Sequence, residues 1–246
     1  MRIPWVQQRL AQQAAQWLSS RLNTEVKVAG FSFSYLDEMS LKGVLLRDLN
    51  QDTLLYSGAL NIKFTDWFFL KSEKELSYLG LEDVLIYLHR PRTDSVWNYH
   101  FIEEAFAQDD KKDEDNATPE WAIRKVVLKN LRFLSKDEWV GEDHELQLGS
   151  LNIDIDAMSY ANRVVVVDYI RAQQPSYTLR DYKGGRPDSL RRKPSNTIDT
   201  TPFNPHMWQL RVNELDIQEG RFVMDDPDKA AGVPGLFYEW KMHVHP

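Results

Sequence analysis

A short apolar–x–apolar unit recurs five times along this chain, starting at Val44, Leu79, Val126, Val165 and Leu215. Consecutive starts lie 35, 47, 39 and 50 residues apart. The two clearest copies, Val126-Val127-Leu128-Lys129-Asn130-Leu131-Arg132-Phe133 and Leu215-Asp216-Ile217-Gln218-Glu219-Gly220-Arg221-Phe222, share apolar residues at positions one, three and eight. Around each unit the side chains alternate with period two, which predicts strands with one dry and one wet face. Strands repeated in this way build an extended surface, which suits a conduit or a scaffold better than an active site.

Composition narrows the classes further. At 246 residues the chain can form one large β domain or two modest ones with a sizeable core. Its 30 basic and 37 acidic residues give a net charge of −7, which argues against a nucleic-acid partner. Cysteine is absent, which excludes disulfides, thiolate metal sites and a cysteine nucleophile and fits any compartment, an oxidising periplasm included. No run of about 18 apolar residues is present to span a membrane as a helix. Met1-Arg2 leads directly into an amphipathic pattern rather than a signal peptide. Both ends read as cut, and residues 237–246 read as a strand with no partner after it.

Four regions are expected. Residues 1–24 form an amphipathic helix, with Pro4 suited to its first position and Val6, Leu10, Ala14, Trp17, Leu18 and Leu22 spaced by three and four. Glutamines fill its polar side, and the scarcity of Lys and Arg there favours a helix capping a sheet over one lying on a membrane. Residues 25–107 form a first β segment that closes with a short helix near 97–106. An acidic linker follows at 108–119. Residues 120–246 continue the β pattern, interrupted by a long loop at 173–205 that carries Arg191-Arg192-Lys193. Within this segment Leu146, Leu148, Leu151, Ile153 and Ile155 alternate against Asn152, Asp154 and Asp156, and Gly149-Ser150 marks a bulge.

Catalytic signatures are sparse: there is no nucleophile elbow, phosphate loop or zincin helix. His243-x-His245 has ligand spacing but no nominated third ligand, and Asn152, Asp154 and Asp156 lack the turn of a calcium loop. Asn116-Ala117-Thr118 matches a glycosylation acceptor, a triplet that chance often supplies. No enzyme, cofactor or metal is expected. The apolar stripe remains. In a closed sheet it is ordinary core; in an open, curled sheet it lines a groove that needs an apolar occupant. Acyl chains fit, since about 0.8 kcal/mol per buried methylene gives roughly 10 kcal/mol for sixteen carbons before costs.

Three stretches carry a family resemblance: Ile3-Pro4-Trp5-Val6-Gln7, then Leu41-Lys42-Gly43-Val44 with Asp52-Thr53-Leu54-Leu55-Tyr56, then Asp94-Ser95-Val96-Trp97-Asn98-Tyr99-His100-Phe101-Ile102. In this order the chain resembles the N-terminal periplasmic region of the TamB proteins of Bacteroidota, within the AsmA-like family, best over residues 3–106. The resemblance implies an inner-membrane anchor helix before Ile3, a long periplasmic β-groove or taco with a hydrophobic interior, and a C-terminal region meeting an Omp85-type outer-membrane barrel. It also implies phospholipid carriage between the membranes, with outer-membrane protein assembly as the associated alternative. Neither the anchor nor the barrel-binding region is in this sequence.

The expectation is therefore a mainly β fold: an N-terminal amphipathic helix, then an elongated, curled, mostly antiparallel β-sheet of repeated strand units. Its groove-lining residues would be Leu60, Ile62, Phe64, Val84, Ile86, Leu88, Val126, Leu128, Leu151, Ile153, Ile155, Leu215 and Ile217. A one-residue slip would swap the faces. The runner-up is a scaffold offering strand edges to outer-membrane clients. A third reading is a closed β-sandwich binding glycan through Trp67, Trp97 or Trp139.

Overall fold

A computed structural model gives the fold. It describes residues 4–34, 38–64, 74–106, 121–159, 162–187, 207–226 and 236–244. Two helices and eleven strands follow one another: α1 (Pro4–Leu22), β1 (Val26–Ser34), β2 (Glu38–Arg47), β3 (Thr53–Phe64), β4 (Lys74–Arg90), α2 (His100–Phe106), β5 (Trp121–Ile123), β6 (Lys125–Asp137), β7 (Glu142–Ser159), β8 (Val164–Gln173), β9 (Ser176–Asp181), β10 (Gln209–Asp225) and β11 (Leu236–Val244). The chain is mainly β, and all eleven strands belong to one sheet.

The strand order is linear, β1-β2-β3-β4-β6-β7-β8-β10-β11, with β5 beside β4 and β9 between β7 and β10. Among the described residues β1 and β11 do not pair with each other. The acidic linker expected at 108–119 lies outside the described residues; the strands before and after it belong to one sheet, because β4 pairs directly with β6. Most pairings are antiparallel, but β4 meets β5 and β6 in parallel, and β10 meets β8 and β9 in parallel. Parallel neighbours need a crossover of a dozen or more residues, and the long stretches between β4 and β6 and between β9 and β10 supply it.

Two boundaries differ from expectation. The helix near 97–106 begins only at His100. Asn98 is held instead to the end of β4: its backbone N–H donates to His89 O (2.9 Å) while its side-chain Oδ1 accepts from His89 N (2.9 Å). The loop expected at 173–205 contains strand β9, since Ser176-Tyr177-Thr178-Leu179-Arg180-Asp181 carries on the line of β8 beyond a break at Gln174-Pro175. The basic cluster at 191–193 lies outside the described residues.

Helix α1 packs along β1 and reaches α2, where Arg21 Nη2 donates to Ala105 O (2.8 Å) and the guanidinium sits 5.0 Å from the Phe106 ring centroid. Among the described residues no helix is long and apolar enough to cross a membrane. At one end of the strands Asp48, only 2% exposed, ties the turn between β2 and β3 to the stretch after β4. Its carboxylate accepts from the N–H groups of Asn50 (2.9 Å) and Asp52 (3.0 Å) and from Asn98 Nδ2 (3.1 Å). Nearby, Asp137 receives Arg90 Nε (2.8 Å) and Val140 N (3.0 Å), and Arg90 covers the Trp97 ring at 4.9 Å. These polar ties fasten the strand ends. They do not form a core.

Candidate functional site

The register sorts the apolar residues into rows that run across the strands, because directly paired residues share a face. One row passes Phe33–Met39–Ile62–Leu79–Val126–Ile153–Ile170–Leu215–Val244. Two residues along each strand runs a second, Phe31–Leu41–Leu60–Leu81–Leu128–Leu151–Ala172–Ile217–Met242. Farther along come Val28–Val44–Ser57–Val84–Leu131–Leu148 and Val26–Leu46–Leu55–Ile86–Phe133–Leu146–Tyr177–Phe222. These four rows are apolar nearly throughout.

Between the second and third rows the period-two pattern slips by one residue. A transverse line marks the slip: Ala29, Gly43, Gly58, Asp83, Asn130, Gly149, Gln174 and Glu219 occupy equivalent positions in successive strands. Strands of one direction carry a left-handed residue there, with φ of 58° at Gly43, 53° at Asp83, 51° at Asn130, 53° at Gln174 and 57° at Glu219. Lys129-Asn130, Gln173-Gln174 and Gln218-Glu219 are each two consecutive exposed residues, after which alternation resumes in the opposite phase. Neighbours along the line bond to one another: Asn130 Nδ2 donates to Asp83 Oδ1 (2.8 Å) and Gln174 Nε2 to Glu219 Oε2 (3.0 Å). Glycine is required where the line is crowded, since a Cβ on Gly43 would lie 2.9 Å from Ala29 Cβ.

The wet face carries a ladder of exposed pairs, including Lys129–Glu82 (2.7 Å), Arg132–Glu145 (3.0 Å) and Arg180–Asp225 (3.1 Å). Asp154, on the Asn152-Asp154-Asp156 face, pairs with Lys125 at 2.9 Å. Among the described residues no group of three or more His, Cys, Asp or Glu could hold a metal ion, and His245 lies outside them. One polar trio interrupts the dry face. His144 sits 2.6 Å from Tyr177 Oη through Nδ1 and 2.7 Å from Glu142 Oε1 through Nε2. The carboxylate only accepts, so the neutral tautomer that fits donates from Nε2 and accepts the hydrogen bond of the phenol O–H at Nδ1. Burial first, and then Glu142, push the Tyr177 phenol above its usual range, which keeps it protonated and donating.

Most of the sequence-derived lining residues meet in these rows. Ile62, Val126, Ile153 and Leu215 share the first; Leu60, Leu128, Leu151 and Ile217 share the second. Val84 and Ile86 fall in the third and fourth, beyond the slip. Leu88 pairs with Ser135, Phe64 with Leu76 past a register shift, and Ile155 with Val167 at another, so these three stand outside the rows. Two of the five unit starts miss the first row: Met39 and Ile170 hold it in β2 and β8, whereas Val44, a member of the third row, and Val165 lie five residues away from them. The missed members, Leu131 with Phe133 and Leu146 with Leu148, were signalled by the phase change at Asn130 and Gly149. Trp97, a candidate glycan platform, has its ring covered by Arg90 and stacked on Tyr99 (5.8 Å); Trp67 lies outside the described residues.

The rows are poorly covered. Among the described residues no side chain is fully buried, and beyond strand-to-strand neighbours the only element packed on the sheet is α1, against β1. No protein-family model matches the chain, and no curated protein matches it either.

Proposed function

We propose that this chain is a segment of a bridge-like envelope protein of the TamB type, holding phospholipid acyl chains along a hydrophobic β-groove. One observation carries the reading: two apolar rows cross the sheet from β1 to β11, two more cross much of it and, among the described residues, no other layer packs on them. Such a face costs free energy in water unless something apolar occupies it. Acyl chains suit a track of this shape, because burial is non-directional and a chain can slide from one strand's side chains to the next. The wet face, with its ladder of exposed ion pairs, keeps the outside soluble. In the parent protein the segment would stand in the periplasm, anchored to the inner membrane by a preceding helix and joined through a later region to an Omp85-type barrel.

Native mass spectrometry of the detergent-free protein, with solvent extraction of the molecules that accompany it, tests this reading. Phospholipid should travel with the chain and be lost from the Ile62→Asp/Ile153→Asp variant, whose two charges fall in one row. A folded wild type that carries no lipid sinks the proposal. The alternative, a scaffold for outer-membrane proteins, draws on the edge strand β11, where Met242 and Val244 are exposed. Edge strands template pairing with other chains. Proline substitutions along β11 would abolish client binding under that reading and leave lipid binding intact.

A further inference from the structure

Where Asp48 fastens the turn between β2 and β3, the chain forms an open cavity of about 490 Å³. Leu49, Val96 and Phe101 give it apolar walls. Asp48, Asp94 and Glu104 give it three carboxylates, and no Lys or Arg is in the lining. Leu49 and Val96 are 54% and 46% exposed, so large apolar side chains stand uncovered beside these acids.

Asp48 is the informative member. It is 2% exposed, yet all three hydrogen bonds to its carboxylate come from neutral donors. Oδ1 accepts from the N–H groups of Asn50 and Asp52, and Oδ2 accepts from Asn98 Nδ2 alone. A carboxylate has about four acceptor positions, so one on Oδ2 is left over. A charge taken out of water is costly unless an opposite charge or a full set of hydrogen bonds compensates it. The arginines around it are engaged elsewhere: Arg47 pairs with Glu25 (2.7 Å), and Arg90, over the Trp97 ring, is held by Asp137. The neighbouring charges are acidic too. The Tyr87 phenol is pushed up by burial first, and then by Glu138, Asp52, Asp143 and Asp48. In the same lining His89 has a buried Nε2 with no hydrogen-bond partner; Glu138 Oε1 stands 3.6 Å away.

A metal ion is a poor match, because among the described residues no group of three or more His, Cys, Asp or Glu could hold one. An organic cation matches both halves of the lining. We propose that this cavity binds a guanidinium group on a short apolar stem, with the cation at Asp48 Oδ2 and the stem along Leu49, Val96 and Phe101. Guanidinium suits the site better than ammonium: it is less strongly hydrated, and its planar fork offers several N–H donors to several acceptors. The rim carboxylates of Asp94 and Glu104 draw the cation in from solvent. The same group arrives equally on a small free molecule or on the arginine of another protein. The proposal is independent of the acyl-chain groove.

The probe is n-butylguanidinium, titrated into the isotope-labelled full chain and followed through the Asn98 side-chain amide by nuclear magnetic resonance. The shift should saturate with a Kd of about 1 mM or tighter, and at least about tenfold tighter than for n-butylurea, which has the same shape without the charge. Glu104→Lys, at an exposed position of the rim, should weaken binding about tenfold. Glu103→Lys makes the same change of charge one residue away and outside the lining, and should cost about twofold or less. Asp48→Asn should abolish binding; where that variant fails to fold, the two lysine variants decide. Equal losses in both lysine variants, equal binding of the urea, or shifts that sodium chloride reproduces overturn the proposal. N-acetyl-leucyl-arginine amide, run in parallel, identifies the source. Tighter binding than n-butylguanidinium supports the site as one for a partner's arginine, and equal or weaker binding supports it as one for a small free guanidinium.

Discussion

At the residue scale the charged groups that matter are few, and they work as fasteners. Asp137 is the clearest. Burial alone would raise its carboxyl pKa, but the Arg90 guanidinium and the N–H groups of Val140 and Trp139 outweigh that and hold it below the ordinary 3.8. A depressed carboxylate contributes stability that is complete above the unfolded-state value and is lost as pH falls through the folded one. Asp137→Asn should therefore cost about 1.5–3 kcal/mol at pH 7, the range for hydrogen bonds to a charged group, and the gap should close as pH falls through the lowered carboxyl pKa. Urea denaturation across that acid range checks it; a gap that persists once the carboxyl is protonated means that the charge is not the cause. Tyr182 behaves oppositely. Burial and the Asp143 carboxylate that accepts its hydrogen bond (2.8 Å) push the phenol far up, so it stays a donor at every ordinary pH.

At the scale of elements the strands are ordinary in sequence and unusual in one place each. Asp83 and Asn130 belong to the residue types that tolerate φ near +50°, and Gly43 has no barrier to it. Gln174 and Glu219 have neither advantage, and only their place in the line explains their conformation. Gly43 is the most constrained, because positive φ and the 2.9 Å approach of Ala29 act together. Gly43→Val should destabilise the fold by about 2–3 kcal/mol, combining left-handed strain with overpacking. Thermal unfolding decides this. A melting temperature equal to wild type would show that neither the left-handed backbone nor the approach of Ala29 constrains this position.

For the whole molecule the deciding quantity is surface. Among the described residues no side chain is fully buried, although the strands are rich in Leu, Ile and Val. If the rows line an open lipid groove as proposed, the delipidated sheet should bind an apolar dye. Anilinonaphthalene sulfonate fluorescence should rise on delipidation with the far-ultraviolet circular dichroism unchanged, and fall again when phospholipid is restored. A delipidated, folded protein that leaves the dye dark has its rows covered. Such a result would point to a closed core and away from a groove.

The sequence by itself determined the secondary structure and the two faces. Period-two alternation at Leu60-Asn61-Ile62 or Leu151-Asn152-Ile153 is a local property of neighbouring side chains, and so is the three-and-four spacing that makes α1 a helix. It also held the slip in phase at Asn130 and Gly149 in readable form. Only the tertiary structure decided that β4 lies parallel to β6 and β8 to β10, and that Val44 and Val165 stand off the row where Met39 and Ile170 are found. Pairing is a choice between distant segments, made by summing contacts over whole strands. The same holds for the line of left-handed residues: each is one strand's local irregularity, and register alone brings them into alignment.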